Sequence, residues 1–253
     1  MACRSSDLAI GTIDPDSDGA DVTPDELDDE ETGPGPRGIV RLVRSQGRRA
    51  IAVDGVVQSV EVPEEASIAG YWPEMLPRRP IGRALVLGMG GGTIAHLILR
   101  EHPAARVCSV DDDARIIELA RRNARFRLDD PRIEIVLGDA FAHVRALVAQ
   151  GKTFDLIAVD LFRAGEVVRA AFARPFLRRL DALCNAGGVV TFNLIRDRRT
   201  ARIIRRVAQH LRLIETRLIG LNCVLHCESS GLSGISRERA STPRRARGRL
   251  TDR

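Results

Sequence analysis

Ala84-Leu-Val-Leu87-Gly88-Met-Gly90-Gly91-Gly92-Thr93 and, one helical stretch later, Val107-Cys-Ser-Val110-Asp111 decide how this chain is read. Leu85 to Leu87 form a short apolar run, and Ile94, Leu97 and Ile98 recur at the spacing of one helix face. The glycines therefore stand where a buried strand hands over to a helix. Without a Cβ, Gly88, Gly90 and Gly91 let backbone N–H groups approach a ligand at the helix N-terminus, and an acid ending the next strand can take both hydroxyls of a ribose. Asp111 lies 23 residues after Gly88, close to the spacing of a nucleotide-binding unit. Taken alone, these features are explained equally well by a tight turn and a solvated acid. Two more strand ends add weight: Gly138-Asp139-Ala140 follows the pattern Ile133 to Leu137, and Asp155-Leu-Ile-Ala-Val159 ends at Asp160. Four consecutive βα units would put Gly88 to Gly92, Asp111, Asp139 and Asp160 on one rim, the C-terminal edge of a parallel sheet, where open α/β sheets bind ligands.

The composition narrows the class. The chain has 253 residues, 44% of them hydrophobic, enough for one α/β domain of about 190 residues with extensions. No apolar run approaches the roughly 18 residues of a membrane span, and Met1 to Ala9 has no signal-peptide core. The cysteines at 3, 108, 184, 223 and 227 form no Cys-x-x-Cys pair, so free thiols in a cytoplasmic protein are expected. His96, His102, His143, His210 and His226 have no metal-ligand spacing, and no metal is expected. There is no Gly-x-Ser-x-Gly elbow and no Gly-Lys-Ser/Thr phosphate loop. A dinucleotide dehydrogenase remains open from the glycines alone, although Gly138-Asp139-Ala140 and a closing hairpin argue against it.

Charge is segregated along the chain. Residues 1–36 hold eleven acids against Arg4, residues 229–253 hold seven arginines against two acids, and the body between them carries net +10. A basic body could attract nucleic acid. However, Lys152 is the only lysine, and the interleaved aromatics of single-strand binders are absent; nucleic acid is not the expected partner. Residues 1–36 are expected to be a disordered acidic leader. Residues 37–80 form a small β unit and linker, in which Ile39 to Val43, Ala50 to Val53 and Val56 to Val60 are strands and Asp54-Gly55 is a hairpin turn. Ala66 to Leu76 is expected to be a short helix broken by Pro73. Residues 81–228 are the main domain, with crossover helices over Ala114 to Asn123 and Phe141 to Val148. Glu166 to Leu183 is read as helical and divided by Pro175, Val189 to Leu194 as the fifth strand, and Thr200 to Leu211 as an amphipathic helix. Leu213 to Ile219 and Cys223 to Cys227 are joined too tightly to be anything but an antiparallel hairpin. Residues 229–253 are expected to be a disordered basic tail.

This order of elements resembles the class I fold of S-adenosylmethionine-dependent methyltransferases, a Rossmann-like α/β sandwich with a seven-stranded, mostly parallel sheet and an antiparallel last strand. More narrowly it is similar to the spermidine synthase family of aminopropyltransferases. That likeness rests on Asp54-Gly-Val-Val-Gln58, Glu74-Met75-Leu76, Gly91 to Thr93, Asp129-Asp130-Pro131-Arg132, Gly138-Asp139-Ala140 and Asp160. It implies a transferase using S-adenosylmethionine or its decarboxylated form as co-substrate and a small amine as acceptor, and it leaves a homodimer open. Gly88 and Gly90 would border the sulfonium, Asp111 would hold the ribose, Asp139 with the Ala140 backbone would meet the adenine, Gln58 would close the pocket, and Asp160 would be the general base. An alkylammonium must lose its proton before its nitrogen can attack carbon next to a sulfonium, and a carboxylate beside it can take that proton.

Three positions depart from that family. Its glycine loop carries an acid for the aminopropyl amine, whereas here the loop is one residue shorter and offers only backbone donors. Its fourth strand continues Asp-Ser-Thr/Ser-Asp-Pro, whereas here Asp160-Leu-Phe162-Arg163 puts a cation at the second acid. Its Tyr-His-Glu is here Tyr71-Trp72-Pro73-Glu74. Reversing a charge beside a dicationic diamine costs several kcal/mol per close pair at an effective dielectric of about 20. Arg163 shifts the expected acceptor away from a diamine and towards a monoamine or an anionic molecule. Methyl transfer is the alternative reaction, and a catalytically silent binding module the second alternative.

Overall fold

The computed structural model describes residues 26–163 and 165–229. The chain opens with a four-stranded antiparallel meander, β1 (Glu26–Gly35), β2 (Gly38–Ser45), β3 (Arg48–Val53) and β4 (Val56–Val60). Two of its turns, Gln46-Gly47 and Asp54-Gly55, have positive φ at both central residues, the geometry that matches the twist of paired strands. Asp54 also holds the first hairpin, its Oδ1 accepting the Ile39 N–H at 2.8 Å. β1 begins inside the stretch expected to be an unstructured leader. Backbone pairing with β2 from Glu26 to Gly35 is what extends it, and a ladder needs no apolar side chains on its added strand. The remainder of that leader, residues 1–25, and the basic tail after Ser229 lie outside the described residues.

The main domain follows as β5 (Arg83–Leu87), α1 (Thr93–Glu101), β6 (Arg106–Asp111), α2 (Ala114–Arg122), β7 (Ile133–Leu137), α3 (Ala140–Ala149) and β8 (Phe154–Val159). A two-residue ribbon, β9 (Phe162–Arg163) with β10 (Glu166–Val167), precedes α4 (Arg174–Leu183), β11 (Cys184–Ile195), α5 (Thr200–Ala208), β12 (Arg212–Ile219) and β13 (Asn222–Glu228). The strands form one seven-stranded sheet in the order β12-β13-β11-β8-β5-β6-β7. Only β13 runs against its neighbours, pairing antiparallel with both β11 and β12. This is the expected sandwich with its antiparallel last strand.

Strand residues alternate between two cores. Ala84, Val86, Leu156 and Ala158 pack with α1, α2 and the meander residues Val40, Leu42, Ile51 and Val60. Leu85, Leu87, Ile157 and Val159 pack with α3, α4 and Val207 of α5. The meander therefore shares the core of the main sheet. Thr93 fixes that docking, donating from Oγ1 to the Val60 carbonyl at 2.8 Å and accepting the Val60 N–H at 2.9 Å.

Two expected helices are not continuous. Between Ala66 and Leu76 only Pro73–Met75 turns, as a 3₁₀ segment. Gly70 at φ +91° leaves the helical region, and Pro73 has no N–H to continue an earlier turn. Between Glu166 and Leu183, the ribbon and a 3₁₀ turn over Arg169–Phe172 replace the first half. Pro175 lies in the first turn of α4, where its missing N–H has no partner to lose.

Candidate active site at the C-terminal rim of the sheet

Gly88, Gly90, Gly91, Asp111, Asp139, Ala140 and Asp160 all come to the C-terminal ends of β5, β6, β7 and β8, and Gln58 reaches the same rim from β4. The glycine loop lies tightly between its neighbours. A Cβ on Gly88 would overlap the Asp160 carbonyl, and one on Gly90 would press on Ser59 Oγ and the Gln58 carbonyl; both residues have positive φ. The loop's donors are engaged internally. Gly88 and Met89 donate to the Val110 carbonyl, Gly92 donates to Met89, Gly90 donates to Asp111 Oδ2 at 2.8 Å, and Gly91 donates to Ser59 Oγ at 2.7 Å. The expectation that this loop offers free N–H groups to a ligand carboxylate is corrected: they hold the loop against β6 and β4.

Asp111 is fixed from two sides, with Gly90 on one oxygen and the Asp113 N–H on the other at 3.0 Å. Burial raises its carboxyl above the usual range, and these two N–H bonds and Arg37 work against that rise. Arg37, on the turn between β1 and β2, covers it. Its guanidinium stands 4.0 Å from Asp111 Oδ1, pairs with Asp112, and donates to the Phe162 carbonyl at 3.3 Å. Arg163 also reaches Asp112, at 4.0 Å. Asp113 begins α2, its Oδ1 accepting the Arg115 and Ile116 N–H groups.

Asp160 is held by side chains from two other parts of the chain. The Tyr71 hydroxyl donates to its Oδ2 at 2.7 Å, and the Asn193 amide donates to its Oδ1 at 2.9 Å. Asn193 is itself held by Asn222 at 2.9 Å. Burial pushes the Asp160 carboxyl up to about 6, against the two hydrogen bonds, with Asp111 adding to the rise. The same burial and the neighbouring carboxylate raise the Tyr71 phenol well above its ordinary value.

Beside Asp160 opens a cleft of about 130 Å³, lined by Val56, Val57, Gln58, Tyr71, Trp72, Phe162, Asn193, Leu221 and Asn222 among others. Gln58 contributes its flank here, and its amide turns back to the Val56 carbonyl at 3.1 Å. Asp139 is exposed at the start of α3, where its Oδ1 accepts the Ala142 N–H at 2.6 Å and its second oxygen has no hydrogen-bond partner among the described residues. The motif residues that lie elsewhere are structural. Asp130 takes a two-point bond from Arg132 at the opposite end of the sheet. Glu74 binds Arg217 through its carboxylate at 3.1 Å and His226 through its carbonyl at 2.7 Å, tying the 3₁₀ turn to β12 and β13.

Sequence reasoning missed Arg37, Ser59, Asn193 and the bond from Tyr71 to Asp160. Asn193 left a signal, an amide in the largely apolar run Val189 to Leu194. Arg37 and Ser59 left none, because their roles depend on where the meander docks.

The seven-stranded sheet, with its antiparallel last strand and its glycine loop and acids along one rim, defines the class I methyltransferase-like architecture. Within that class the chain belongs to the spermine/spermidine synthase family, whose domain matches residues 75–216. It is 28% identical over 151 residues to the polyamine aminopropyltransferase of Pyrobaculum neutrophilum, covering 56% of this chain and 51% of that protein. It is 28% identical over 153 residues to putrescine N-methyltransferase 4 of Nicotiana tabacum, covering 56% of this chain and 37% of that one. The chain spans about half the length of the curated polyamine aminopropyltransferases it matches. The solved spermidine synthase from Thermotoga maritima superposes with a TM-score of 0.61 at 18% identity, over 85% of this chain and 76% of that one. Among the described residues there is no cluster that could hold a metal ion, and no helix is long and apolar enough to cross a membrane.

Proposed function

We propose that this chain is a transferase of the spermidine synthase type, which binds an adenosyl sulfonium at the rim and moves an aminopropyl group from decarboxylated S-adenosylmethionine to an amine. The observation that carries this reading is Asp160, a half-buried carboxylate held by Tyr71 and Asn193 between the glycine loop and the cleft. Gly88 and Gly90 let the loop pack against the Asp160 carbonyl and Ser59, where a side chain would collide, and so hold the loop beside Asp160. Asp111 and Asp139 remain acceptors for the ribose and the adenine amino group. The donor, when bound, supplies an electrophilic carbon next to a cationic sulfur and a neutral thioether as leaving group. Asp160 binds the incoming ammonium and takes its proton, and Tyr71 and Asn193 keep the carboxylate aimed. A cation placed between Asp111 and Asp160 favours the charged form of both acids.

Calorimetry with methylthioadenosine, followed by product analysis with each donor, tests the reading. Binding is expected, and Asp111→Ala should weaken it by about 1.5–3 kcal/mol, the range for hydrogen bonds to a charged group. Transfer should stop with Asp160→Asn. Absence of heat at millimolar nucleoside would overturn the transferase reading in favour of a silent binding module. Methyl transfer from S-adenosylmethionine is the second reading. Arg37 favours it, as the cation on the rim that could meet a donor carboxylate.

A further inference from the structure

Among the described residues, fourteen line the cleft beside Asp160, and not one of them is Asp, Glu, Lys or Arg. Val56, Val57, Trp72, Phe162, Ile195, Ile219 and Leu221 supply its apolar side chains, about half of the wall, and the polar half, including Gln58, Tyr71, Asn193 and Asn222, carries no charge. Asp160 is not itself in the lining; it stands behind Tyr71 and Asn193, which line the cleft and hold its two oxygens. None of the other acids nearby lines the cleft. Asp112 pairs with Arg37 and stands 4.0 Å from Arg163, Glu166 lies opposite Arg163 in the β9–β10 ribbon, and Glu74 is paired with Arg217.

We infer that the acceptor is a primary monoamine with an apolar body, and not a diamine. The inference rests on the transferase reading and specifies its acceptor. One ammonium is neutralised at Asp160, while a second would have to leave water for a wall that offers it no charge, which is strongly unfavourable. The same wall helps the chemistry of a monoamine. Desolvation lowers the pKa of an ammonium from near 10 towards that of Asp160, so proton transfer becomes less uphill. The amine nitrogen then uses its freed lone pair to form the new C–N bond, the C–S bond breaks, its electron pair stays on sulfur as a neutral thioether, and the proton lost from nitrogen resides on Asp160.

Pentylamine and 1,4-diaminobutane test this directly, since they have the same number of heavy atoms and differ by a methyl in place of an ammonium. Binding of each is measured by calorimetry to the full chain saturated with methylthioadenosine, a readout independent of transfer. Pentylamine is expected to bind at least about tenfold more tightly, equivalent to about 1.4 kcal/mol. A second measurement uses Leu221→Asp, an acid placed at the exposed mouth of the cleft, which should raise affinity for the diamine and leave pentylamine little changed. Equal or tighter binding of the diamine to the unaltered chain would overturn the inference, as would failure of both amines to bind. If pentylamine binds tightly yet is alkylated from neither donor, the acceptor class stands and the transferase reading fails.

Discussion

The Tyr71 hydroxyl donates to Asp160 Oδ2 at 2.7 Å, bridging 89 positions of sequence to set the protonation of the rim's central acid. Burial holds that acid up near about 6, and the bonds from Tyr71 and Asn193 hold it down. A base must be ionised to work, so activity should fall on the acid side of about pH 6. Tyr71→Phe removes a bond made to the charged form, and the acid limb of the rate profile should then move up by about one pH unit. A profile unchanged by Tyr71→Phe would mean that Asp160 does not govern the rate.

Asp160 should also cost stability where it works. Its carboxyl is raised to about 6 in the folded chain, against about 3.9 for an exposed aspartate. An acid raised by folding contributes stability that is fully present below about pH 4 and is lost as pH rises through about 6. Asp160→Asn keeps both partners, because the Tyr71 hydroxyl can turn to accept while Asn193 continues to donate. The melting temperature of Asp160→Asn should therefore exceed that of the parent at pH 8, by the equivalent of about 1–3 kcal/mol, and the two should coincide near pH 4. Equal melting at both pH values would refute the burial penalty.

Ser59 couples the meander to the glycine loop. Its Oγ accepts the Gly91 N–H and donates to the Gln58 carbonyl at 2.7 Å, and the residue is buried. Ser59→Ala leaves that buried N–H without an acceptor, a loss of about 1–3 kcal/mol. Urea unfolding should register the loss, and nucleoside affinity should fall with it, since Gly90 next door holds Asp111. If stability drops while affinity holds, the loop is rigid without the meander.

The rim was legible because it rests on local periodicity. Apolar runs ending in Gly88, Asp111, Gly138-Asp139 and Asp160 locate four strand ends, and a parallel sheet must bring such ends together. The last hairpin was equally legible, since Leu221 and Asn222 permit only an antiparallel return. What stayed hidden depends on long-range docking. Hydrogen bonds between residues as distant as Tyr71 and Asp160, or Ser59 and Gly91, leave no period in the sequence, and β1 forms by backbone pairing that its acidic, proline-rich composition argues against. Glycine donors looked free because a motif names the donors without naming what they already bond.

Arg37 gives the last prediction. The Asp111 side chain is only 3% exposed, held by the Gly90 and Asp113 N–H groups with the Arg37 guanidinium 4.0 Å from its Oδ1, so on the solvent side a ribose reaches this acid past the β1–β2 turn. Arg37 ties that turn to the rim through the bond to the Phe162 carbonyl and the pair with Asp112, whose side chain is 36% exposed, and such pairs contribute about 0–1 kcal/mol. Arg37→Ala should therefore tighten methylthioadenosine by up to about fivefold. Added salt should strengthen nucleoside binding to the parent by screening the pair, and should leave Arg37→Ala unaffected. S-adenosylmethionine separates the two reactions: if Arg37 meets the donor carboxylate, Arg37→Ala will weaken that nucleoside while tightening methylthioadenosine, and methyl transfer becomes the better reading. If both nucleosides tighten, Arg37 acts only as a cover, and aminopropyl transfer keeps its place.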